Sequence, residues 1–112
     1  MAKINQDFSI KRGTDETIGF DISPLGDTTG GELVWKVAHN VESNPVLTYK
    51  LSEGDIEIQA STAYIDISPE DSLGANLKRN NYHELEYIDS EGKVDIVSSG
   101  TMTVTPTLVG KE

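Results

Sequence analysis

Residues 82–106, YHELEYIDSEGKVDIVSSGTMTVTP, decide the fold because they predict two long strands joined by a tight turn. The first strand is predicted to turn His83, Leu85 and Tyr87 inward, since they alternate with glutamates. Such period-2 alternation is typical of a strand with one buried face. Gly92 supplies the positive φ that a bulged hairpin turn requires. The hairpin specifies a β fold and, by itself, no chemistry.

The return strand of this hairpin is predicted to have one apolar face and one threonine-rich face. The inward face would carry Val94, Ile96, Met102 and Val104. The outward face would carry Asp95, Ser99, Thr101, Thr103 and Thr105. Val97 is out of phase with its apolar neighbours and is predicted to be an exposed β-branched residue. Gly100 interrupts the apolar face and predicts a bend or a bulge.

Shorter alternating stretches with turn signals between them fill the rest of the chain. The first two, at residues 7–12 and 17–23, are predicted to pair with or neighbour one another. In the strand at residues 32–38, Trp35 is predicted to anchor the core. Three more strands are predicted around residues 47–51, 56–58 and 63–67. Seven or eight short strands at regular spacing predict a single all-β domain over residues 1–112, folded as an antiparallel Ig-like β-sandwich.

One short helical turn is predicted near residues 69–75. Ser68 is a good N-cap residue, Pro69 suits the first helical position, and two acids follow in the first turn. Leu73 and Leu77 would pack this segment against an open end of the sandwich.

Composition excludes several classes of function. The 112 residues include 19 acids, 9 bases and no cysteine, for a formal net charge of −10. Disulfides and thiolate metal sites are therefore impossible, and the charge disfavours binding to a phosphate backbone. The one basic pair, Lys78 and Arg79, lacks an aromatic platform for bases. No apolar run approaches the length of a membrane span, so a soluble protein without membrane or nucleic-acid partners is predicted.

The sequence offers no constellation for catalysis. Neither His39 nor His83 has a candidate nucleophile beside it. The acids occur where solvated strand faces, turns and helix caps favour them. Two pairs, Asp89 with Glu91 and Asp15 with Glu16, leave an adventitious or structural Ca²⁺ site open. The glycine-rich PLGDTTGG at residues 24–31 lacks the lysine and helix of a phosphate-binding loop. The prediction is a protein that is not an enzyme and uses no cofactor or metal.

Several segments in order resemble a family of phage proteins. FSIKRGTD at residues 8–15, followed by an apolar strand, resembles a recurrent opening in phage tail and baseplate proteins. SPEDS at residues 68–72, the strand beginning at Tyr82, and SGTMTV at residues 99–104 continue the pattern. Over nearly its whole length the chain is similar to the N-terminal domain of phage baseplate upper proteins and to small prophage tail-associated β-sandwich proteins.

This resemblance implies a non-enzymatic virion structural protein of the tail, baseplate or neck. Such a protein would self-associate into a homo-oligomer and dock onto other phage structural proteins, in a virion assembled in the bacterial host cytoplasm. Because the sequence ends at Glu112 with no receptor-binding domain after it, the expectation is an attachment domain alone.

Five residues are predicted to form contacts with partners: Val97, Tyr64, Tyr82, Thr101 and Thr103. An exposed Val97 would be either an assembly contact, a lone surface valine, or a residue covered by the N-terminal segment. Segments 1–6 and 107–112 are further candidates, since terminal arms often order on binding. The alternative function is an Ig-like glycan- or host-surface-binding module, in which Tyr64 and Tyr82 together present an aromatic platform.

Overall fold

The computed structural model describes residues 4–73 and 77–109, and this part of the chain is mostly β structure. It contains nine strands, against the seven or eight predicted, and one α-helix. The elements are β1 (Ile4–Asn5), β2 (Phe8–Lys11), β3 (Glu16–Asp21), β4 (Glu32–Ala38), β5 (Pro45–Lys50), β6 (Ile56–Gln59), β7 (Thr62–Ile67), α1 (Pro69–Leu73), β8 (Asn80–Ile88) and β9 (Val94–Thr105). Two short 3₁₀ turns lie at Ser23–Leu25 and Leu51–Glu53.

The strands form two sheets that enclose one core. The larger sheet has the order β1-β9-β8-β4-β5, with β2 also paired to β9, and the smaller sheet has the order β3-β7-β6. Buried side chains from both sheets form a single hydrophobic cluster, and Trp35 lies in it with 0 % exposure. The predicted all-β class and the central position of Trp35 are confirmed.

The N-terminal strands pair differently from the prediction. β2 does not pair with β3; it runs parallel to β9, with Phe8 opposite Met102. The turn at residues 12–15 begins with hydrogen bonds from the Thr14 amide and hydroxyl to the Lys11 carbonyl, at 3.3 and 2.8 Å. It carries the chain from the larger sheet to the smaller one. The larger sheet is therefore mixed, and the prediction of a wholly antiparallel fold is wrong.

A β-bulge at Val97 changes which residues of β9 face the core. Leu85 pairs with Ser98 and Glu86 pairs with Ile96, so Val97 is the extra residue on its strand. Val97 is 1 % exposed and belongs to the core cluster. The prediction of an exposed Val97 is wrong because the bulge adds one residue to the alternation.

The same bulge moves Val94 and Ile96 off the core face of β9. Residues directly opposite one another in a ladder share a face of the sheet. Ile96 therefore lies on the outer face with its partner Glu86, and Val94 is 57 % exposed. Their predicted inward position beside Met102 is wrong.

Gly100 is required for a close approach of two backbone segments. A Cβ atom at this position would lie 2.3 Å from the Gln6 carbonyl oxygen and 2.6 Å from Oδ1 of Asp7. The bulge is at Val97, so Gly100 instead lets the segment between β1 and β2 lie against β9.

The predicted helical turn is present as α1, and residues 74 and 75 of that prediction lie outside the described ranges. Oγ of Ser68 accepts a hydrogen bond from the Asp71 amide at 3.1 Å, as an N-cap does. The Asp71 carboxylate accepts a hydrogen bond from the Tyr49 hydroxyl. Oγ of Ser72 donates to the Thr14 carbonyl at 2.9 Å. These bonds hold α1 against both β5 and the turn that follows β2.

Candidate functional site

Three of the five predicted contact residues lie together on the outer face of the larger sheet. Tyr82 on β8 is directly opposite Thr101 on β9, and Asn80 is directly opposite Thr103. Both neighbours of Tyr82 along β8, Asn81 and His83, are buried. We define the Tyr82 face by the residues Lys36, Tyr82, Glu84, Glu86, Thr101 and Thr103.

Polar contacts hold the side chains of the Tyr82 face in place. The Tyr82 hydroxyl donates a hydrogen bond of 2.6 Å to Oε2 of Glu84. Burial, followed by this hydrogen bond to a carboxylate, raises the pKa of Tyr82, so the hydroxyl remains a donor. Lys36 forms a salt bridge of 3.1 Å with Glu86. The tyrosine ring is therefore held in one orientation.

Thr101 and Thr103 differ in whether the side-chain hydroxyl is already hydrogen-bonded within the protein. The Thr103 hydroxyl donates to Oδ1 of Asn80 at 3.1 Å. Thr101 is exposed, and its amide donates to Oδ1 of Asp7 at 2.8 Å, which ties β9 to the segment before β2. Thr101 thus presents its side chain to solvent from a fixed backbone.

A shallow cleft borders the Tyr82 face at the loop between β4 and β5. Its volume is about 100 Å³. The lining residues include Lys36, Asn40, Val41, Pro45, Tyr82 and Glu84. Val41 is 69 % exposed and lines this cleft together with Tyr82, so it adds an apolar side chain beside the tyrosine. The cleft is no larger than roughly one amino-acid side chain.

The loop that forms this cleft is shaped by Asn40. Its Oδ1 accepts a hydrogen bond from the Glu42 amide at 2.9 Å, and its carbonyl accepts from the Ser43 hydroxyl at 3.1 Å. Asn favours such local bonds to the backbone in turns. Sequence reasoning missed Val41, although a lone valine inside a polar loop was the available signal.

Tyr64 and Tyr82 belong to different sheets. Tyr64 is on the outer face of β7 in the smaller sheet, where it is paired with Gly19 and Glu57. A Cβ on Gly19 would lie 3.3 Å from the Tyr64 ring, so the ring covers the glycine. Tyr64 is 37 % exposed. The structure does not bring the two tyrosines together, and the joint aromatic platform is not formed.

Val97 does not take part in any surface. It is buried in the core between the sheets, as described above. The prediction that Val97 contacts a partner is therefore wrong. Val97 is buried in the core and is not a surface residue covered by the N-terminal segment.

His83 is a buried structural residue. Its Nδ1 accepts a hydrogen bond of 3.2 Å from Nε1 of Trp35, and its Nε2 lies 2.6 Å from the Gln6 carbonyl oxygen. This pair of partners assigns the proton to Nε2. Burial lowers the pKa of His83, which keeps the ring neutral. Both ring nitrogens are occupied, so the ring holds the N-terminal segment to the core.

The carboxylate of Asp89 is used within the β8–β9 turn. Oδ1 of Asp89 accepts hydrogen bonds of 2.9 Å from the amides of both Glu91 and Lys93. Gly92 has φ +87°, as predicted for the hairpin. Among residues 4–73 and 77–109, no group of three or more His, Asp or Glu side chains could hold a metal ion.

No helix in the described ranges is both long enough and apolar enough to cross a membrane. Comparison of the chain with protein-family models and with curated proteins gives no match.

Proposed function

We propose that this chain is a non-enzymatic structural component of a phage particle that docks onto a neighbouring particle protein through the Tyr82 face. The resemblance to baseplate upper protein domains supplies the phage context. The observation that carries the docking role is the placement of Tyr82 directly opposite Thr101 and beside the exposed Val41.

An aromatic anchor next to an apolar side chain and surrounded by polar groups is the usual composition of a protein interface. Tyr82 supplies the anchor, Val41 the apolar contact, and the salt bridge between Lys36 and Glu86 the polar rim. Because Glu84 already holds the tyrosine hydroxyl, little side-chain freedom is lost when a partner binds.

For the fold, we propose an Ig-like sandwich of the variable type. The order β9-β8-β4-β5 corresponds to strands G, F, C and C′, and the order β3-β7-β6 corresponds to B, E and D. Trp35 then occupies the buried tryptophan position of strand C. In place of the disulfide between strands B and F, the rings of Phe20 and His83 lie with centroids 6.4 and 6.0 Å from that of Trp35.

Incorporation into particles tests the docking role. Mass spectrometry of purified particles from the encoding strain should detect the wild-type chain. Tyr82→Ala and Val41→Asp should each lower its incorporation roughly tenfold, as loss of an interface anchor does. Tyr64→Ala is the matched control on the opposite sheet and should incorporate normally. Absence of the chain from particles, or equal incorporation of all variants, would contradict the proposal.

We also propose that the chain self-associates, as the resemblance to phage structural proteins implies. Light scattering coupled to size-exclusion chromatography over a dilution series should give one discrete oligomer, since closed symmetric assemblies have defined stoichiometry. A monomer at every concentration would overturn self-association and leave the docking role untouched.

The alternative of glycan binding rests on the cleft beside Tyr82, where the Asn40 and Glu84 side chains could bond sugar hydroxyls. In that case Tyr82→Ala should abolish retention on immobilised glycans and leave assembly intact. If the Tyr82→Ala variant fails to assemble and the wild type is not retained on any glycan, glycan binding is excluded.

A further inference from the structure

A second surface at the far end of the β8–β9 hairpin collects three cationic side chains in a strongly acidic protein. Arg12 follows β2, and Lys78 and Arg79 precede β8. All three line one groove of about 130 Å³. We call it the basic groove and define it by Arg12, Lys78 and Arg79 together with the apolar Leu77, Val104 and Pro106. Sequence reasoning noted Lys78 and Arg79, but only the parallel pairing of β2 with β9 adds Arg12.

None of the three cations forms a salt bridge with an acid that the structure describes. Within residues 4–73 and 77–109 the one salt bridge joins Lys36 to Glu86 on the Tyr82 face. Most other cations in the described part of the chain also lack a salt bridge, so what distinguishes these three is that they line one groove. Three unpaired cations around one groove create a local positive potential that a bound anion would complete.

The backbone of each cationic residue is fixed by hydrogen bonds. The Arg12 amide donates to the Thr105 carbonyl at 3.0 Å, and the Arg79 carbonyl accepts from the Val104 amide at 2.7 Å. The side chain of the buried Asn81 holds both the amide and the carbonyl of Lys78, at 3.0 and 2.7 Å. The groove is therefore built on rigid elements, which lowers the entropic cost of binding.

The wall of the groove indicates the class of ligand. Leu77 is half-buried against the core, Val104 is 7 % exposed and Pro106 adds a rigid apolar ring. Among the described residues that line the groove none is aromatic, so a base would find no ring to stack on. A nucleic acid carries a charge at every phosphate, so a net charge of −10 repels it far more strongly than a peptide with one or two carboxylates. A carboxylate beside an apolar side chain fits both the cations and the wall, and guanidinium groups bind carboxylates in a two-pronged geometry.

We propose that the basic groove binds an acidic peptide segment of a partner protein, in which a glutamate or aspartate is adjacent to a leucine-like side chain. The carboxylate bonds Arg12 and Arg79, and the apolar side chain packs on Val104 and Leu77. This site is separate from the Tyr82 face, and either proposal can fail while the other stands.

A peptide titration followed by NMR tests the proposal. The ¹⁵N-labelled wild-type chain is titrated with an acetylated and amidated Gly-Glu-Leu-Glu-Gly peptide. Saturable shifts are expected at the amides of Arg12, Arg79 and Val104. The Gly-Gln-Leu-Gln-Gly and Gly-Glu-Gly-Glu-Gly peptides should each bind roughly tenfold more weakly, because one lacks the charge and the other the apolar contact.

Two double variants with the same loss of charge supply the control. Arg12→Gln with Arg79→Gln should lower the affinity for the peptide roughly tenfold or more. Lys50→Gln with Lys93→Gln removes two cations elsewhere and should leave affinity unchanged. A dispersed amide spectrum confirms that each variant is folded, and an unfolded arginine variant is replaced by Arg79→Gln alone.

Four results would overturn the proposal. They are shifts that map outside the groove, equal binding of the neutral peptide, inorganic phosphate binding as tightly as the peptide, and an oligothymidylate binding more tightly than the peptide. The third would identify a simple anion site and the fourth a nucleic-acid site.

Discussion

The two sheets differ in how far local alternation determines their structure. In the smaller sheet, β7 alternates strictly, with Ala63, Ile65 and Ile67 at 0 % exposure, and β3 pairs with it in a single register. The larger sheet has register shifts in the β4–β5 and β8–β9 pairs and gains two parallel strands at β9. Burial in the smaller sheet thus follows from local alternation, although β3 pairs with the distant β7. Burial in the larger sheet also depends on the bulge in β9 and on the parallel strands paired with it.

Two glycines, one in each sheet, give the largest predicted contrast. Gly100→Val would place a side chain where the Gln6 carbonyl lies, so the free energy of unfolding should fall by about 3 kcal/mol. Gly19→Ala meets only the Thr62 methyl and the Tyr64 ring, at 3.2 and 3.3 Å, and should cost about 1 kcal/mol or less. Urea denaturation measures both. Equal losses would show that the N-terminal segment is not held against β9.

Removing the hydrogen bonds of His83 should give the next largest loss in the free energy of unfolding. His83→Leu leaves the Trp35 Nε1–H and the Gln6 carbonyl without their partner, which should lower the free energy of unfolding by about 2 kcal/mol. Ser98→Ala is the control in the same sheet, since the buried Ser98 hydroxyl has no partner among the described residues. Its removal should be neutral or stabilising. A larger loss for Ser98→Ala than for His83→Leu would contradict this assignment.

The bulge in β9 predicts opposite outcomes for two valines three residues apart. Val97→Ala removes two buried methyl groups and should cost about 1.5 kcal/mol, whereas Val94→Ala should change stability by less than about 0.5 kcal/mol. Simple alternation along the strand predicts the reverse order. Thermal unfolding of the two variants separates these cases.

The smallest expected effect is a dependence on pH. Burial lowers the pKa of His83 in the folded chain below its ordinary value of 6.5. Between the folded and the unfolded pKa of His83, the unfolded chain binds more protons than the folded chain. The free energy of unfolding is therefore highest above pH 6.5 and decreases as the pH falls from 6.5 to the folded pKa. The slope is at most about 1.4 kcal/mol per pH unit. Wild-type minus His83→Gln stability, measured from pH 7 to pH 5, should show this decrease, and a flat difference would refute it.

Much of the fold was predictable because it depends on sequence patterns among neighbouring residues. The hairpin at residues 82–106, the inward His83, the core position of Trp35 and the helix at Pro69–Leu73 all follow from local alternation or capping. The parallel pairing of β2 was not predictable, since the turn at residues 12–15 has the composition of a hairpin. The bulge at Val97 was not predictable either, because valine suits both faces of a strand.

The candidate site was predicted in part. Tyr82, Thr101 and Thr103 share the outer face because they lie on adjacent strands of a hairpin already apparent in the sequence. Tyr64 belongs to the other sheet, and its separation from Tyr82 depends on a strand order that local patterns do not encode. The cleft at Val41 and the contribution of Arg12 to the basic groove arise from tertiary packing.

The most direct test of the functional account compares the two sheets within the assembled particle. A photoreactive phenylalanine analogue is placed at position 82 in one variant and at position 64 in another. Irradiation of purified particles should cross-link position 82 to one neighbouring structural protein and leave position 64 without cross-links. Cross-links from position 64 alone, or from neither position in particles that contain the chain, would contradict docking through the Tyr82 face.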